Sequence, residues 1–501
     1  MLAVRNRRSL RKTDLIQAPQ HSPPTNEVCQ HTPHGFATDL RSRTVAHGVA
    51  SETTEVNGTT DLAAFIDALR EQRSFDRGAS ISIARAPGRL DVMGGIADYS
   101  GSLVLQRPLA EATWAAVQRL DRPVLEIVSL GRPPCTIPLQ TLAPDGDPLR
   151  YDEARPFFVQ SSFPWTAYIG GVVLVLARER GLPLTTGARI VVVSQVPEGK
   201  GVSSSAAVET AVMSAVATAF GILLEPRDLA LLCQTAENRV AGAPCGVMDQ
   251  MTCVFGDEDA LLALLCQPAE LHPAVPVPDD LELWGLDSGE RHAVGGSDYG
   301  AVRTGAFMGL RILSEHVSVP GAYLANIDSD EFEKELVRFL PEEMSGHEFL
   351  ARYGRTADTV TAVEGAQRYQ VRAPAAHPVY ERQRAETFRR LLPESGDDVR
   401  RRLGELMYES HASYGTCGLG SPGTDRLVSL VQAEGPVAGL YGARITGGGS
   451  GGTVAVIGRR DAAPAIARVV DAYEKQTGYR PRVFAGSSPG VVAFGSRSVI
   501  L

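Results

Sequence analysis

A ten-residue run of small and hydroxyl-bearing residues is the part of this sequence that most plainly could do chemistry. Residues 197–206 read Pro-Glu-Gly-Lys-Gly-Val-Ser-Ser-Ser-Ala and follow a valine-rich stretch. Gly199 and Gly201 have no Cβ, so their backbone N–H groups can approach a ligand closely. The three serines open a predicted helix, and a helix N-terminus offers unpaired N–H donors and partial positive charge. The run therefore predicts a loop that binds phosphate.

This run is not a Walker P-loop, because Lys200 is followed by glycine rather than by serine or threonine. A glycine-rich turn with a serine helix cap would give a similar sequence. Three consecutive serines after two glycines, between a strand and a helix, favour anion binding over that simpler interpretation.

A second glycine cluster, residues 447–452, lies between two strand-like runs near the C-terminus. Glycine loses more conformational entropy on folding than any other residue, so such a cluster is costly in an ordinary hairpin. The cluster therefore indicates that the backbone passes close to something at this position.

These loops need a scaffold, and the pattern from residue 81 onwards supplies one by alternating β-rich runs with helical patterns. The predicted strands are Ile81–Ala86, Val124–Ser129, Arg189–Val196, Glu282–Asp287 and Thr453–Ile457. The predicted helices are Asp61–Arg70, Trp165–Glu179, Ser205–Phe220, Arg227–Val240, Asp298–Glu315, Arg382–Leu392, Asp398–Ser410 and Ala462–Thr477. Interleaved strands and helices predict an α/β or α+β enzyme-sized body. Residues 325–378 are charged and weakly patterned, as an insertion or a join between lobes would be.

Composition excludes some classes of protein. The chain has 501 residues, of which 44% are hydrophobic, so it can bury sizeable cores. Its 49 basic and 58 acidic residues give a net charge of −9, which argues against a nucleic-acid partner. No apolar run approaches the roughly 18 residues that a membrane-spanning helix needs. We expect a cytoplasmic protein without a membrane partner.

The first 58 residues are polar and lack a sustained apolar period, so we predict that they are disordered. No apolar region follows the N-terminal arginines, which argues against a secretory signal. An organellar transit peptide is also arginine-rich and poor in acidic residues, so it stays an alternative, ranked below a disordered start.

Three motifs occur in a fixed order along the chain. Ala86-Pro-Gly-Arg89 leads to Asp98-Tyr99, then come the 197–206 run and the 447–452 cluster. In this order they resemble the GHMP kinases, the family of galactokinase, homoserine, mevalonate and phosphomevalonate kinases.

Two further segments are similar to the galactokinase branch of that family. Arg85–Gly94 resembles its signature, and Gly242–Gln250 resembles its substrate loop. The resemblance implies a two-lobed α/β (α+β) fold with the active site in the cleft between the lobes. We assign residues 59–280 to the N-terminal lobe and residues 281–501 to the C-terminal lobe.

The resemblance also implies roles for single residues. Asp249 would contact the anomeric hydroxyl of a sugar, as a base or by positioning it, with Arg89 beside it to neutralise charge on the transferred phosphoryl group. The other sugar contacts would be Asp98, the backbone of Gly246 and Tyr299. Mg²⁺ prefers hard oxygen ligands and would be bound by Ser205 and Glu237. The ATP contacts would be Gly199, Gly201, Ser203, Ser204, Ser205, Ala206, Trp165, Tyr168, Gly448 and Gly449.

One departure from the galactokinase pattern points to a substrate. Galactokinases have a Glu-His pair that holds the sugar's C6 hydroxyl, where this chain has Gly95 and Ile96. A buried hydroxyl without a partner costs about 1–3 kcal/mol. L-Arabinopyranose has the ring hydroxyls of D-galactopyranose but no CH₂OH group, so a pocket wall of glycine and isoleucine suits it.

The segments Gly88–Leu105, Arg291–Tyr299 and Cys417–Ser421 are likewise similar to the kinase domain of the L-arabinokinases. We therefore expect a sugar-1-kinase that uses Mg-ATP and L-arabinose. A galactokinase is the nearest alternative, a non-catalytic galactokinase-like sugar sensor is a further one, and a kinase for another sugar stays open.

Overall fold

The computed structural model describes residues 58–71, 73–129, 131–291 and 297–501. The predicted disordered segment, residues 1–58, lies outside these ranges except for Gly58. The described chain is a mixed α/β structure, as the alternating pattern predicts.

Three sheets contain the strands. In chain order the strands are β1 (Ser80–Met93), β2 (Leu103–Leu120), β3 (Val124–Ser129), β4 (Cys135–Pro138), β5 (Gly187–Ser194), β6 (Ala260–Leu265), β7 (Glu270–Pro276), β8 (Leu281–Asp287), β9 (Glu343–Ser345), β10 (Arg368–Gln370), β11 (Leu440–Ile445), β12 (Thr453–Arg459), β13 (Val483–Phe484) and β14 (Arg497–Ile500).

The α-helices vary from single turns to five turns. They are α1 (Gly58–Glu71), α2 (Leu139–Leu142), α3 (Tyr151–Val159), α4 (Ala167–Arg180), α5 (Ser204–Phe220), α6 (Pro226–Thr235), α7 (Met248–Phe255), α8 (Ser297–Leu313), α9 (Ser329–Glu331), α10 (Gly346–Tyr353), α11 (Arg372–Leu391), α12 (Asp397–Thr416), α13 (Pro422–Glu434), α14 (Ala463–Thr477) and α15 (Val491–Phe494).

The largest sheet has eight strands and is built on the long antiparallel pair β1 and β2. Its order is β14-β1-β2-β5-β3-β4, and β6 pairs with the start of β2 and with β7. All neighbours are antiparallel except β3 and β5. Alternate positions on β5, such as Ile190 and Val192, belong to the main hydrophobic core, which also contains the buried faces of α4 and α5. This packing holds the start of α5 beside β1.

The second sheet has the order β11-β12-β8-β13 and carries the 447–452 cluster between β11 and β12. The predicted division of lobes at residue 280 stays a prediction. Along the chain, β8 is the first strand of the second sheet, and it starts directly after residue 280. Strand β14, however, comes after that point and pairs with β1 in the first sheet.

Most of the weakly patterned region, residues 325–371, lies in a segment of 58 residues, 314–371, between α8 and α11, whereas residues 372–378 form the start of α11. It contains the small β9–β10 sheet and several short helices, which pack against α8 and α11 around the buried rings of Phe332, Phe349 and Tyr369. Among the described residues, no helix is both long and apolar enough to cross a membrane.

Candidate active site

The glycine-serine loop (residues 197–206) joins the end of β5 to the N-terminus of α5. Gly199 and Gly201 have φ angles of 69° and 68°, and Ser203 has a φ angle of 63°. Glycine adopts this left-handed backbone freely, but it costs a serine on the order of 1–3 kcal/mol. The buried Ser203 hydroxyl has no hydrogen-bond partner among the described residues. Strain and an unpartnered hydroxyl at a helix N-terminus make this loop suited to an anion.

Arg89 reaches this loop because β1 is irregular just before it. The register of β1 against β2 shifts between Pro87 and Arg89, and such a bulge re-aims the side chain that follows. The Arg89 N–H donates to the Val202 carbonyl at 3.1 Å, and the guanidinium donates to the Gly201 carbonyl at 2.5 Å. Strand β1 is thereby attached directly to the glycine-serine loop.

The same guanidinium forms an ion pair with Asp249 in the first turn of α7. Arg89 Nε and Nη2 lie 2.9 and 2.8 Å from Asp249 Oδ1. The Arg89 side chain is 3% exposed and that of Asp249 is 18% exposed, so the carboxylate is the partner that faces open space. The pair presents a proton acceptor and a fixed positive charge side by side, next to the glycine-serine loop.

A second carboxylate, Asp98, lies on a 3₁₀ turn (Gly95–Ser100) after β1. Its Oδ1 accepts the Tyr99 N–H at 2.6 Å. Burial, with the negative charge of Asp249, raises the pKa of Asp98 to about 7, while Arg303 acts in the opposite direction. Gly246 packs so tightly on this carboxylate that a Cβ at position 246 would overlap it. Asp98 therefore lies against the backbone of the predicted substrate loop.

Ser205, in the first turn of α5, is joined to Glu237 by a hydrogen bond. Ser205 Oγ donates to Glu237 Oε1 at 2.7 Å, and Gln250 Nε2 donates to Glu237 Oε2 at 2.6 Å. Glu237 lies in a π-helical turn (Ala236–Ala241) after α6, a distortion that is frequent at functional sites. Burial raises the pKa of Glu237 to about 7, although the hydrogen bond from Ser205 opposes that shift.

The 447–452 cluster brings the backbone of the second sheet onto the glycine-serine loop. A Cβ at Gly452 would lie 2.7 Å from the Lys200 carbonyl oxygen, and one at Gly447 would lie 2.9 Å from that of Gly201. The Thr453 hydroxyl donates to the Lys200 carbonyl at 2.8 Å. The close backbone approach that the glycine content predicts is therefore present.

These elements line a common cavity, whose space including its open mouth is about 610 Å³. The predicted site residues that line it are Arg89, Asp98, Gly199, Gly201, Ser203, Ser204, Ser205, Glu237, Gly246, Asp249, Tyr299 and Gly448. Residues that are far apart in the sequence are thus brought to a common space.

Gly95 and Ile96, predicted in the wall of the sugar pocket, do not line this cavity. Gly95 has a φ angle of 46°, and a Cβ there would overlap the Tyr414 hydroxyl. Ile96 is 1% exposed, and it lies in an apolar cluster with Val302 and the ring of Tyr299. Both positions lie behind the residues that face the cavity.

Four predicted ATP contacts also lie outside the cavity lining. Ala206 is fully buried in the core, and Gly449 packs against Leu419. Trp165 is partly buried under the guanidinium of Arg132, 4.8 Å from the ring centre. Tyr168 is half-buried, and burial raises its pKa. Arg132 also pairs with Glu198 of the glycine-serine loop, which puts Trp165 near that loop.

Sequence reasoning missed the residues that hold the loops in place. Lys200, which a Walker P-loop would direct at phosphate, instead pairs with Asp287 at 3.0 Å. Cys245 and Met248 line the cavity, and Arg303 contacts the Cys245 carbonyl. Only the position of Cys245 and Met248 within the predicted substrate loop could have pointed to them.

Comparisons with known proteins identify the family of this chain. Residues 167–257 match the GHMP kinases N terminal domain, and residues 381–476 match the GHMP kinases C terminal domain. The solved structure of Lactococcus lactis galactokinase complexed with galactose is similar in fold, with a TM-score of 0.69 at 20% identity. It covers 88% of this chain and 100% of that one.

Two sequence relatives are more similar. An L-arabinokinase of Arabidopsis thaliana is 44% identical over 84% of this chain, and the match spans 47% of that protein's length. A galactokinase of Chloroflexus aurantiacus is 31% identical over 79% of this chain and 89% of its own length. The chain therefore belongs to the GHMP kinase family.

Proposed function

We propose that the protein is a sugar kinase that transfers the γ-phosphoryl group of ATP to the anomeric hydroxyl of L-arabinose. The family together with the two sugar-kinase relatives supports the class of reaction, phosphoryl transfer to an alcohol group. The choice of sugar depends on what surrounds Asp98 and Tyr299.

The observation that carries the choice is that position 95 has no room for a side chain and position 96 holds a buried apolar one. The Tyr414 hydroxyl fills the space that a side chain at 95 would need, and it accepts the Ile96 N–H at 2.8 Å. Ile96 itself is enclosed in apolar surroundings. Neither position can offer a partner to an exocyclic hydroxyl, which costs about 1–3 kcal/mol if it is buried unpaired. L-Arabinopyranose has no such hydroxyl.

The ring hydroxyls would be bound by groups that face the cavity. Ionised Asp98 can accept two hydroxyl hydrogen bonds on its free lone pairs. Gly246 packs on Asp98, and both Gly246 and Tyr299 line the cavity. The sugar would thus present its anomeric hydroxyl to Asp249.

The transfer itself requires little beyond alignment and charge. Asp249 accepts the hydrogen bond of the anomeric hydroxyl, directs its oxygen at the γ-phosphorus and can take its proton. A bond forms from that oxygen to the γ-phosphorus, the bond to the β,γ-bridging oxygen breaks, and ADP leaves. Arg89, fixed by Asp249 and by the Gly201 carbonyl, neutralises charge on the transferred group.

Ser205 and Glu237 fit a magnesium ion by their chemistry. Both offer oxygen ligands at the cavity surface, and among the described residues the buried Glu237 carboxylate is hydrogen-bonded to Ser205 and Gln250 but to no cationic group, which favours a bound cation. Mg²⁺ keeps several waters and phosphate oxygens as ligands, so two protein ligands suffice. When bound, it would neutralise charge on the β- and γ-phosphates.

D-Galactose is the second candidate substrate. It is favoured by the 31% identity to the Chloroflexus aurantiacus galactokinase and by the ring-hydroxyl partners that both sugars would share. The lack of a partner for its C6 hydroxyl at positions 95 and 96 argues against it.

The test is an ADP-release assay on the purified chain with Mg-ATP and L-arabinose, followed by NMR of the product. We expect ADP release and a phosphate on C1. Asp249→Asn keeps the shape of the side chain but removes its charge, and should lower kcat by at least about a hundredfold. Absence of ADP release with every aldose, or a phosphate on another carbon, contradicts the proposal.

A further inference from the structure

A buried arginine on α8, Arg303, lies next to the proposed sugar contacts Asp98 and Gly246, here called the sugar side of the cavity. It is not itself part of the cavity lining. Arg303 Nη1 donates to the Cys245 carbonyl at 3.0 Å. Its guanidinium also stacks on the ring of Tyr99, 5.2 Å from the ring centre. The arginine thus contacts the residues that immediately follow Asp98 and immediately precede Gly246.

The charge of Arg303 is matched by an aspartate from the 314–371 segment. Asp358 binds it in a bidentate ion pair, with both N–O distances 2.8 Å, and the two side chains are 6% and 3% exposed. A fork of this kind fixes the plane of a guanidinium as well as its position. Asp358 is therefore the carboxylate that neutralises Arg303 in the described part of the chain.

The segment itself is shaped to present this carboxylate. Asp358 accepts the N–H groups of Val360 and Thr361, both at 3.1 Å, and the Thr361 hydroxyl at 2.7 Å. Burial would raise the pKa of Asp358, but Arg303 and Thr361 outweigh it and hold that pKa below the usual range. Thr361 Oγ1 also accepts from the Thr304 hydroxyl of α8 at 3.1 Å.

We infer that Asp358 and Arg303 are positioning residues for the sugar, an inference that rests on the proposed sugar-kinase function. Through this pair the 314–371 segment fixes the Cys245 carbonyl, and with it the Gly246 backbone that packs on Asp98. The Cys245 carbonyl also accepts from Asn238 Nδ2 at 3.3 Å and from Gln234 Nε2 at 3.5 Å, both longer than its bond from Arg303, while the Cys245 N–H donates to Asn238 Oδ1 at 2.8 Å.

The ion pair with Asp358 also keeps the Arg303 guanidinium from pairing with Asp98 instead. A buried arginine that loses its partner seeks another negative charge, because an unpaired buried charge is costly. The charge of Arg303 already acts on Asp98, where it lowers the pKa of the carboxyl group. Without Asp358 the guanidinium is expected to turn towards Asp98 and to compete with the hydroxyls of the sugar.

The experiment compares Asp358→Asn with the natural full-length chain, measuring kcat and the KM values for sugar and for ATP with L-arabinose and with D-galactose. We expect the sugar KM to rise about tenfold and the ATP KM to change less than about twofold. Glu343→Gln, which removes an exposed ion pair with Arg368 in the same segment, is the matched control and should change neither.

A gentler pair of variants decides the matter if Asp358→Asn does not fold. Thr361→Ala removes the 2.7 Å hydrogen bond to Asp358, whereas Thr361→Ser keeps a hydroxyl. The alanine variant should have a sugar KM about threefold above that of the natural chain, and the serine variant should have a sugar KM close to the natural value.

An unchanged sugar KM in a folded Asp358→Asn variant overturns the inference, as does an equal rise in both KM values. For the threonine pair, equal sugar KM values in the alanine and serine variants overturn it. If the natural chain phosphorylates neither sugar, the proposed function fails first. The two failures are thereby distinguishable.

Discussion

At the scale of single residues, the two carboxylates on the sugar side differ in what holds them. Asp249 is paired with Arg89, whereas Asp98 is buried against Gly246 with a backbone hydrogen bond from Tyr99. Burial favours the neutral form of a carboxylate, and it raises the pKa of Asp98 to about 7. The pH dependence of sugar binding should therefore report on Asp98.

Sugar affinity without nucleotide or metal should rise with pH up to about 7 and then level off. Only ionised Asp98 accepts two hydroxyl hydrogen bonds, and burial with the charges of Asp249 and Asp91 raises its pKa to about 7 against the effect of Arg303. Below that pH the ionised fraction falls about tenfold per unit. Calorimetric titration between pH 5 and 8 measures it, and a flat profile contradicts this role for Asp98.

Gly246→Ala tests the contact between the substrate loop and Asp98. The added methyl group would overlap the carboxylate, which must then move, so the sugar KM should rise at least about tenfold while the ATP KM changes little. Gly415→Ala on α12 adds the same atom in open space and serves as the control. Equal kinetics for the two variants would mean that Asp98 does not need its present position.

At this scale, sequence reasoning can point to residues that belong to a motif, but it misses contacts that are made by residues elsewhere in the chain. The resemblance assigned Arg89 and Asp249, which are 160 positions apart, and no periodicity could have paired them. It could not show that Tyr414 fills the space beside Gly95, because nothing near position 95 indicates that contact.

At the scale of elements, regular patterns gave the right structure and irregular ones concealed it. Strand β3 has the predicted bounds, and α5 begins one residue before its predicted start. Strand β1 runs seven residues past the predicted end, because Pro87 and Gly88 read as a turn but form a bulge inside the strand. Strand β2 was not predicted, since Pro108 and the charged residues beside it break the alternation.

Tyr414 on α12 joins two of these elements. Its hydroxyl accepts the Ile96 N–H and donates to the Gly447 carbonyl, both at 2.8 Å, so it connects the turn that carries Asp98 to the 447–452 cluster. Tyr414→Phe should lower the free energy of unfolding by about 1–3 kcal/mol and raise the KM values for both substrates.

Tyr408→Phe is the control for that variant, since it lies on the same helix and is partly buried. It should leave both KM values near those of the natural protein. If the two variants behave alike in stability and kinetics, the Tyr414 hydroxyl does not link the two loops.

At the scale of the whole molecule, a fully buried ion pair connects the two larger sheets. Asp91 on β1 and Arg444 on β11 lie 3.0 Å apart, and Asp91 also accepts N–H groups of Gly95 and Gly447. The alternating pattern predicted the fold class, but it could not predict this join, because paired residues more than 350 positions apart leave no local signal.

Arg444→Ala should therefore lower the apparent free energy of unfolding by about 3–5 kcal/mol, because it leaves the Asp91 carboxylate buried without its partner. Arg468→Ala removes an arginine from an ion pair in which Arg468 is largely exposed and should cost about 1 kcal/mol or less. Chemical denaturation measures both, and equal losses would mean that the buried pair does not hold the sheets together.

The measurement that tests the central claim most directly compares kcat/KM for L-arabinose, D-fucose and D-galactose. D-Fucose has a methyl group where D-galactose has CH₂OH, so it separates the size of the group from its hydroxyl. We predict that L-arabinose is best and that D-fucose exceeds D-galactose by about 5- to 150-fold, the equivalent of about 1–3 kcal/mol for an unpaired hydroxyl. A preference for D-galactose over both other sugars would contradict the account, because its C6 hydroxyl would then have a partner in the site.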